Sequence, residues 1–185
     1  MIKELFSETE QHMEKTLEAL SSDLVGLRTG RASPALVERL VVDYWDTPTP
    51  LNQLASIAVP EPRLLAIRAW DATALAAIER AIRKSDLGLT PMNDGKIIRL
   101  AIPPLTEERR RDLVKLVARR VEEARVAIRN LRRDAIEMLR ELEDEKMISE
   151  DDMYRAKDDI QELTDKMIER ADEIGKHKEK EILEV

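Results

Sequence analysis

"VARRVEEARVAIRNLRRDAIEMLREL", residues 117–142, contains neither proline nor glycine. Its apolar residues Val117, Val121, Ala124, Ile128, Leu131, Ala135, Met138 and Leu142 are spaced 4, 3, 4, 3, 4, 3, 4. A repeat near 3.5 residues is the seam of a helix packed against others with a left-handed crossing. The same stretch gathers Arg125, Arg129, Arg132 and Arg133 in a chain of formal net charge −7. Such a helix needs apolar partners for its stripe and an anion for its arginines.

Partners for the stripe lie on either side. Met13, Leu17, Leu20, Leu24 and Leu27 are spaced 4, 3, 4, 3, and Met153, Ala156, Ile160, Leu163 and Met167 are spaced 3, 4, 3, 4. Three helices with one stripe each bury one another as a bundle. Their ends are marked. Thr106 can cap the second helix, with Glu107 and Glu108 in its positive first turn. Ser149 can cap the third, with Asp152 three residues on, as a variant of the capping box. "DEKMISED" (144–151) is then a short loop between antiparallel helices. Thr29-Gly30 closes the first helix, glycine tolerating the left-handed conformation of a helix end. The second helix, about 107 to 143, spans about 55 Å at 1.5 Å per residue.

The middle of the chain is different. All eight prolines lie between Pro34 and Pro104. "ERLVVDYW" (38–45), "RLLAIRAW" (63–70) and "KIIRLAI" (96–102) read as strands, bounded by turn residues. "DTPTP" (46–50) reads as a turn, and "ATALAAIERAIRKSD" (72–86) has helical spacing. Tyr44, Trp45 and Trp70 are expected to pack inside this part. The fold class expected is α+β: a three-helix bundle of residues 1–30 and 105–185, with a small β/α/β domain, 31–104, inserted. The chain crosses between them at "GRASP" (30–34) and "PPL" (103–105). These are either the two strands of a hinge or ordinary connections.

Several function classes drop out. There is no cysteine, hence no disulfide, thiolate catalysis or zinc–cysteine site. His12 and His177 are far apart in sequence and form no metal-ligand pair. The carboxylate runs at 149–152 and 156–160 read as solvated helix faces, so no metal is expected. No GxxxxGK[ST], GxGxxG or GxSxG is present, so no cofactor or nucleotide and no catalytic residue is expected. The opening "MIKELFSETEQHMEK" has no apolar signal core, and no stretch approaches the roughly 20 apolar residues of a membrane span. A soluble cytoplasmic protein with no membrane partner is expected.

Charge is unevenly spread. Residues 107–133 hold ten Lys/Arg against five Asp/Glu, net +5, whereas residues 134–185 hold nine against nineteen, net −10. On a helical wheel with Arg125 at zero and about 100° per residue, Arg129 lies near 40°, Arg132 near −20° and Arg133 near 80°. They share one face, beside the buried stripe. A guanidinium fork matches phosphate well. The competing reading pairs these arginines with the acidic helices of the same bundle, and charge pattern alone leaves both open.

Six stretches carry a resemblance along the whole chain: "LRTGRASPAL" (27–36), "TPTPLNQLASI" (47–57), "SDLGLTP" (85–91), "IPPLTEERRRDLVK" (102–115), "ARVAIRNLRRDA" (124–135) and "ISEDD" (148–152). In order and spacing they resemble bacterial ribosome recycling factors. The resemblance implies an L-shaped molecule, with a three-helix bundle and a β/α/β domain joined by a flexible hinge. It implies a translation factor that acts after termination with elongation factor G, splitting the ribosome with GTP hydrolysed by that partner. The bundle is then expected on large-subunit ribosomal RNA across the A and P sites, and the second domain against the intersubunit bridges. Arg132 matches the family arginine most closely tied to RNA contact, with Arg129 and Arg133 beside it. Arg28 and Arg31 match arginines near the domain junction, and Gly30, Pro103 and Pro104 match the hinge. A monomer that is not an enzyme is expected. The chain departs from the family pattern at Trp45-Asp46, where an aromatic followed by glycine is more usual, and at Thr90, where Asn is usual.

Two rival readings are a structural coiled-coil protein and a free RNA-binding module. The inserted domain and the asymmetric charge argue against the first.

Overall fold

The computed structural model describes residues 1–27 and 29–184. Along the chain run α1 (Ile2–Val25), β1 (Val41–Tyr44), β2 (Thr47–Pro50), β3 (Ala55–Glu61), β4 (Leu64–Ala69), α2 (Leu75–Lys84), β5 (Pro91–Asn93), β6 (Ile97–Ala101), α3 (Glu107–Asp144) and α4 (Glu150–Leu183). They divide into two compact units, Met1–Arg28 with Glu107–Glu184, and Thr29–Thr106. The unit boundaries stand two residues from the expected 30/31 and 104/105, so Gly30, Pro103 and Pro104 fall inside the smaller unit.

The larger unit is a bundle in which each of α1, α3 and α4 touches the other two. Its core is made by Met13, Leu17, Leu20 and Leu24 from α1, Val117, Ile128 and Leu139 from α3, and Ile160, Met167 and Ala171 from α4. The seam departs from the expected heptads at the end of α3. Leu139 is buried, while Met138 is 49 % exposed and Leu142 half-buried. From Leu113 to Leu139 the buried positions make seven turns in 26 residues, about 3.7 per turn. Ala156 to Ile182 on α4 repeats that spacing. This repeat is longer than the 3.5 residues of a left-handed heptad seam.

The helix ends follow local chemistry. At α4, Ser149 Oγ accepts from Asp152 N at 3.1 Å and donates to Asp152 Oδ2 at 2.7 Å. This closes the α3–α4 loop, in which Lys146 takes a positive φ of 56°. The helix α1 ends earlier than expected, at Val25, with Gly26 still in the right-handed region. Gly30, with φ of 78°, turns the connection beyond it instead. Between α3 and α4 the Val121 side chain packs against Gly175: a Cβ there would stand 2.6 Å from Val121 Cγ2.

The smaller unit has a four-stranded antiparallel sheet, order β3-β4-β6-β5, and a separate β1-β2 hairpin. Leu75, Ile78 and Ile82 of α2 are buried in a core with Val42, Leu65, Ile67, Ile98 and Leu100. Inward residues alternate along β4 (Leu65, Ile67) and β6 (Ile98, Leu100), as a one-sided sheet requires. Two strands, β3 and β5, were not expected. Nor is "DTPTP" a turn: Thr47–Pro50 is β2, paired Asp43↔Pro48 and Val41↔Pro50. Its prolines are tolerated because the strand pairs on one side only.

The turn is Trp45-Asp46, with φ of 50° and 57°. A two-residue hairpin favours such φ values but normally places Asn or Gly there. A left-handed non-glycine residue costs about 1–2 kcal/mol. The tryptophans do not pack inside: Trp45 is 76 % and Trp70 68 % exposed. The core of this unit is filled by aliphatic side chains, and the indoles are left outside.

Candidate nucleic-acid interface

The 38 residues of α3 present one side to α1 and α4 and the other to solvent. Because Arg129, Arg132 and Arg133 flank the seam, the helix that buries Ile128 and Ala135 must display them. Their surroundings differ. Arg125 Nε donates to Asp172 Oδ1 of α4 at 2.7 Å, and its Nη1 donates to Glu122 Oε2 at 2.9 Å. Arg129 Nη1 donates to Glu122 Oε1 at 3.2 Å. Hydrogen bonds from Arg125 first, and Arg129 second, hold the Glu122 carboxyl below its ordinary range. Glu122 in turn is the main group raising the Arg125 guanidinium. The intramolecular pairing considered above therefore holds for Arg125 and, in part, for Arg129.

Arg132 and Arg133 escape it. Arg132 Nη1 donates to Gln161 Oε1 of α4 at 3.0 Å, and Gln161 Nε2 donates to Asp165 Oδ1 at 2.9 Å. A neutral amide orients the guanidinium and leaves its charge intact. Arg133 is exposed and, among the described residues, no carboxylate pairs with it. Beside them lies an open hollow lined by four cations, Arg132, Arg133, Arg140 and Lys157, by three carboxylates, Glu137, Glu141 and Asp144, and by Ile136 and Gln161. Arg140 follows Arg133 by seven residues and so shares its face. That spacing could have pointed to it. Lys157 and Gln161 come from α4, and no spacing within α3 could reveal them.

Of the other predicted residues, Arg31 is half-buried and belongs to the smaller unit. Arg28 lies outside the described residues. His12 and His177 are exposed. Among the described residues no cluster of His, Cys, Asp or Glu could hold a metal ion, and no helix is long and apolar enough to cross a membrane.

Residues 20–183 match the family model described as Ribosome recycling factor. The chain belongs to the ribosome recycling factor family. It is 58 % identical to the ribosome-recycling factor of Syntrophomonas wolfei subsp. wolfei and 56 % identical to that of Carboxydothermus hydrogenoformans, in each case over the full length of both chains. A solution structure of the ribosome recycling factor superposes with a TM-score of 0.77 at 47 % identity, covering 100 % of this chain and 98 % of that one. A second similar structure is the Thermus thermophilus ribosome recycling factor, in a model with Escherichia coli elongation factor G bound to the post-termination complex. It has a TM-score of 0.64 at 52 % identity and covers 99 % of each chain. The helical bundle and the β/α/β domain are thus the ribosome recycling factor architecture, and in this member Arg132, held by the neutral Gln161, stands on α3 of the bundle.

Proposed function

We propose that this chain recycles ribosomes: with elongation factor G and GTP it splits the post-termination ribosome, and its bundle binds large-subunit ribosomal RNA through the α3 arginine face. The observation that carries the reading is the Arg132–Gln161 bond. A cation that a neutral group holds in place is ready for an external anion. Arg133, Arg140 and Lys157 stand beside it, and phosphate is the anion that guanidinium forks fit best. Arg129 contributes less, since Glu122 shares it, and Arg28 and Arg31 add contacts from the chain segment that leaves the bundle. Family membership supplies the ribosome as the source of the phosphate.

The factor has no phosphate-cradling loop of its own, so the elongation factor supplies GTP hydrolysis. The positive φ of Gly30 and the stiff Pro103-Pro104 pair support a hinge between the bundle (1–30 and 105–185) and the inserted domain (31–104). The protein acts as a cytoplasmic monomer.

The test is subunit splitting of post-termination ribosomes by the purified chain with elongation factor G and GTP. Splitting that needs all three components supports the reading. Splitting that is absent, or that proceeds equally with Arg132→Ala and Arg133→Ala combined, overturns it.

A further inference from the structure

The chain holds one Asp-Gly pair, Asp94-Gly95, and no Asn-Gly pair. The pair lies in the turn between β5 and β6, where residues 93–96 are all exposed. Asp-Gly is the aspartyl sequence most open to a spontaneous reaction, because glycine has no Cβ to shield its nitrogen. Gly95 N attacks the side-chain carboxyl carbon of Asp94. A C–N bond forms, and the carboxyl hydroxyl leaves with the amide proton as water. The ring that results is a succinimide. Water then opens it at either carbonyl, giving back aspartate or giving isoaspartate, in which the main chain runs through the side-chain carbons. No reactant besides water takes part.

Nothing steric protects this turn. A Cβ built on Gly95 would meet no atom within 4 Å, and the residue sits at a φ of 92°. Hydrogen bonds hold it instead. Attack needs a protonated carboxyl that can swing over the next nitrogen. Asp94 Oδ1 accepts from Lys96 N at 3.0 Å and from Ile97 N at 2.8 Å, and Asp94 Oδ2 accepts from Arg99 Nη1 at 2.6 Å. Both oxygens are thereby anchored. The Ile97 and Lys96 amides, and then Arg99, also hold the carboxyl well below the usual carboxylate range, in its ionised form. The nucleophile is engaged as well, since Gly95 N donates to Asn93 Oδ1 at 2.8 Å. Asn93 is itself fixed by α2, its Nδ2 donating to Glu79 Oε2 at 3.3 Å. We propose that Asp94-Gly95 is a masked modification site: Asn93 and Arg99 keep the succinimide from closing while the hairpin is folded, and isoaspartate forms there when the hairpin opens. Isoaspartate at position 94 makes the main chain one carbon longer beside the Asn93↔Ile98 pair. A hairpin that closed on aspartate does not fit the longer chain, so opening leaves a permanent mark.

The full-length chain is incubated near neutral pH in water labelled with heavy oxygen, once folded and once in urea, and residue 94 is followed by peptide mass spectrometry. Each cycle of ring closure and opening leaves a heavy oxygen at residue 94, whichever product forms, and chromatography separates the isoaspartyl peptide. The chain in urea is expected to gain label and isoaspartate several-fold faster than the folded chain. Folded Asn93→Ala and Arg99→Ala are each expected to gain label several-fold faster than the folded unaltered chain. Ile98→Val thins the core of the same unit without touching the network, and so controls for lost stability. Melting curves set a temperature at which every variant is folded; Arg99→Gln, with a longer side chain, replaces an Arg99→Ala that does not fold. Equal rates in the folded chain and in urea, variants no faster than the unaltered chain, or an equal acceleration by Ile98→Val overturns the proposal.

Discussion

The Arg132 guanidinium lies 3.0 Å from the amide oxygen of Gln161 on the neighbouring helix, so it is oriented by a group that carries no charge. Replacing the amide by a carboxylate of the same shape separates orientation from charge. Gln161→Glu is expected to keep the fold, since a half-exposed ion pair adds about 0–1 kcal/mol. It should nevertheless weaken ribosome binding several-fold and lower the salt slope by about one unit, because one cation is withdrawn from phosphate. Binding titrations at several salt concentrations check this. Undiminished affinity would mean that Arg132 does not face RNA.

Arg132→Ala removes the cation altogether. It should cost about 1–3 kcal/mol of ribosome affinity with little change in melting temperature, because the side chain lies beside the seam and not in it. If stability collapses along with binding, the arginine serves the bundle.

Glu122 restrains Arg125 and Arg129, and its carboxyl is held below the ordinary value of 4.5. A depressed carboxyl stabilises the fold above its ordinary value and loses that contribution as pH falls through the lowered one. Glu122→Gln should therefore be slightly less stable at pH 7, and the difference should close in acid, below the ordinary value. At pH 7 the substitution frees Arg129, so ribosome binding should tighten. Melting curves from pH 7 down to pH 3 and a binding titration test both halves. A stability gap that widens in acid contradicts the assignment.

At Gly175 a methyl group would stand 2.6 Å from Val121 Cγ2, and valine turns its χ1 with difficulty. Overpacking costs about 1–3 kcal/mol, against a helix-propensity gain of up to about 1 kcal/mol for alanine over glycine. Gly175→Ala should thus destabilise the bundle by about 1 kcal/mol, and adding Val121→Ala should recover part of it. Denaturant titration of the two single variants and the double variant measures the coupling. Additive effects would mean that the helices part easily at this point.

The seam itself can be tested at neighbouring residues. Leu139→Ala should cost about 2–5 kcal/mol, and Met138→Ala, at a half-exposed position, less than about 1 kcal/mol. Equal losses would restore the heptad seam.

Much of the bundle was legible in the sequence because proline-free segments with one apolar stripe have few ways to fold. The cap at Ser149 could be read for the same reason, its partner Asp152 being local. What escaped depends on neighbours that no local pattern names. Met138 and Leu139 are adjacent and both apolar, and only the position of the facing helices chooses between them. The strands β3 and β5 are short or mostly exposed, and "TPTP" carries two prolines that argue for a turn until a partner strand accepts them. The indoles were expected inside because large apolar groups usually are, but aliphatic side chains make that core and both indoles are exposed. Three arginines of the face followed from wheel geometry, while Gln161 and Lys157, which give that face its character, come from another helix.

The winding of the seam sets how the length of α3 can change. At about 3.7 residues per turn, Arg129, Arg133 and Arg140 stay within roughly 40° of one line while the apolar side stays turned to its partners. Inserting or deleting a single residue between them swings every later cation by about 100° out of that line. An eleven-residue change, three whole turns, restores it. A change in the length of this helix therefore keeps its cations in line only when it adds or removes close to a whole number of turns.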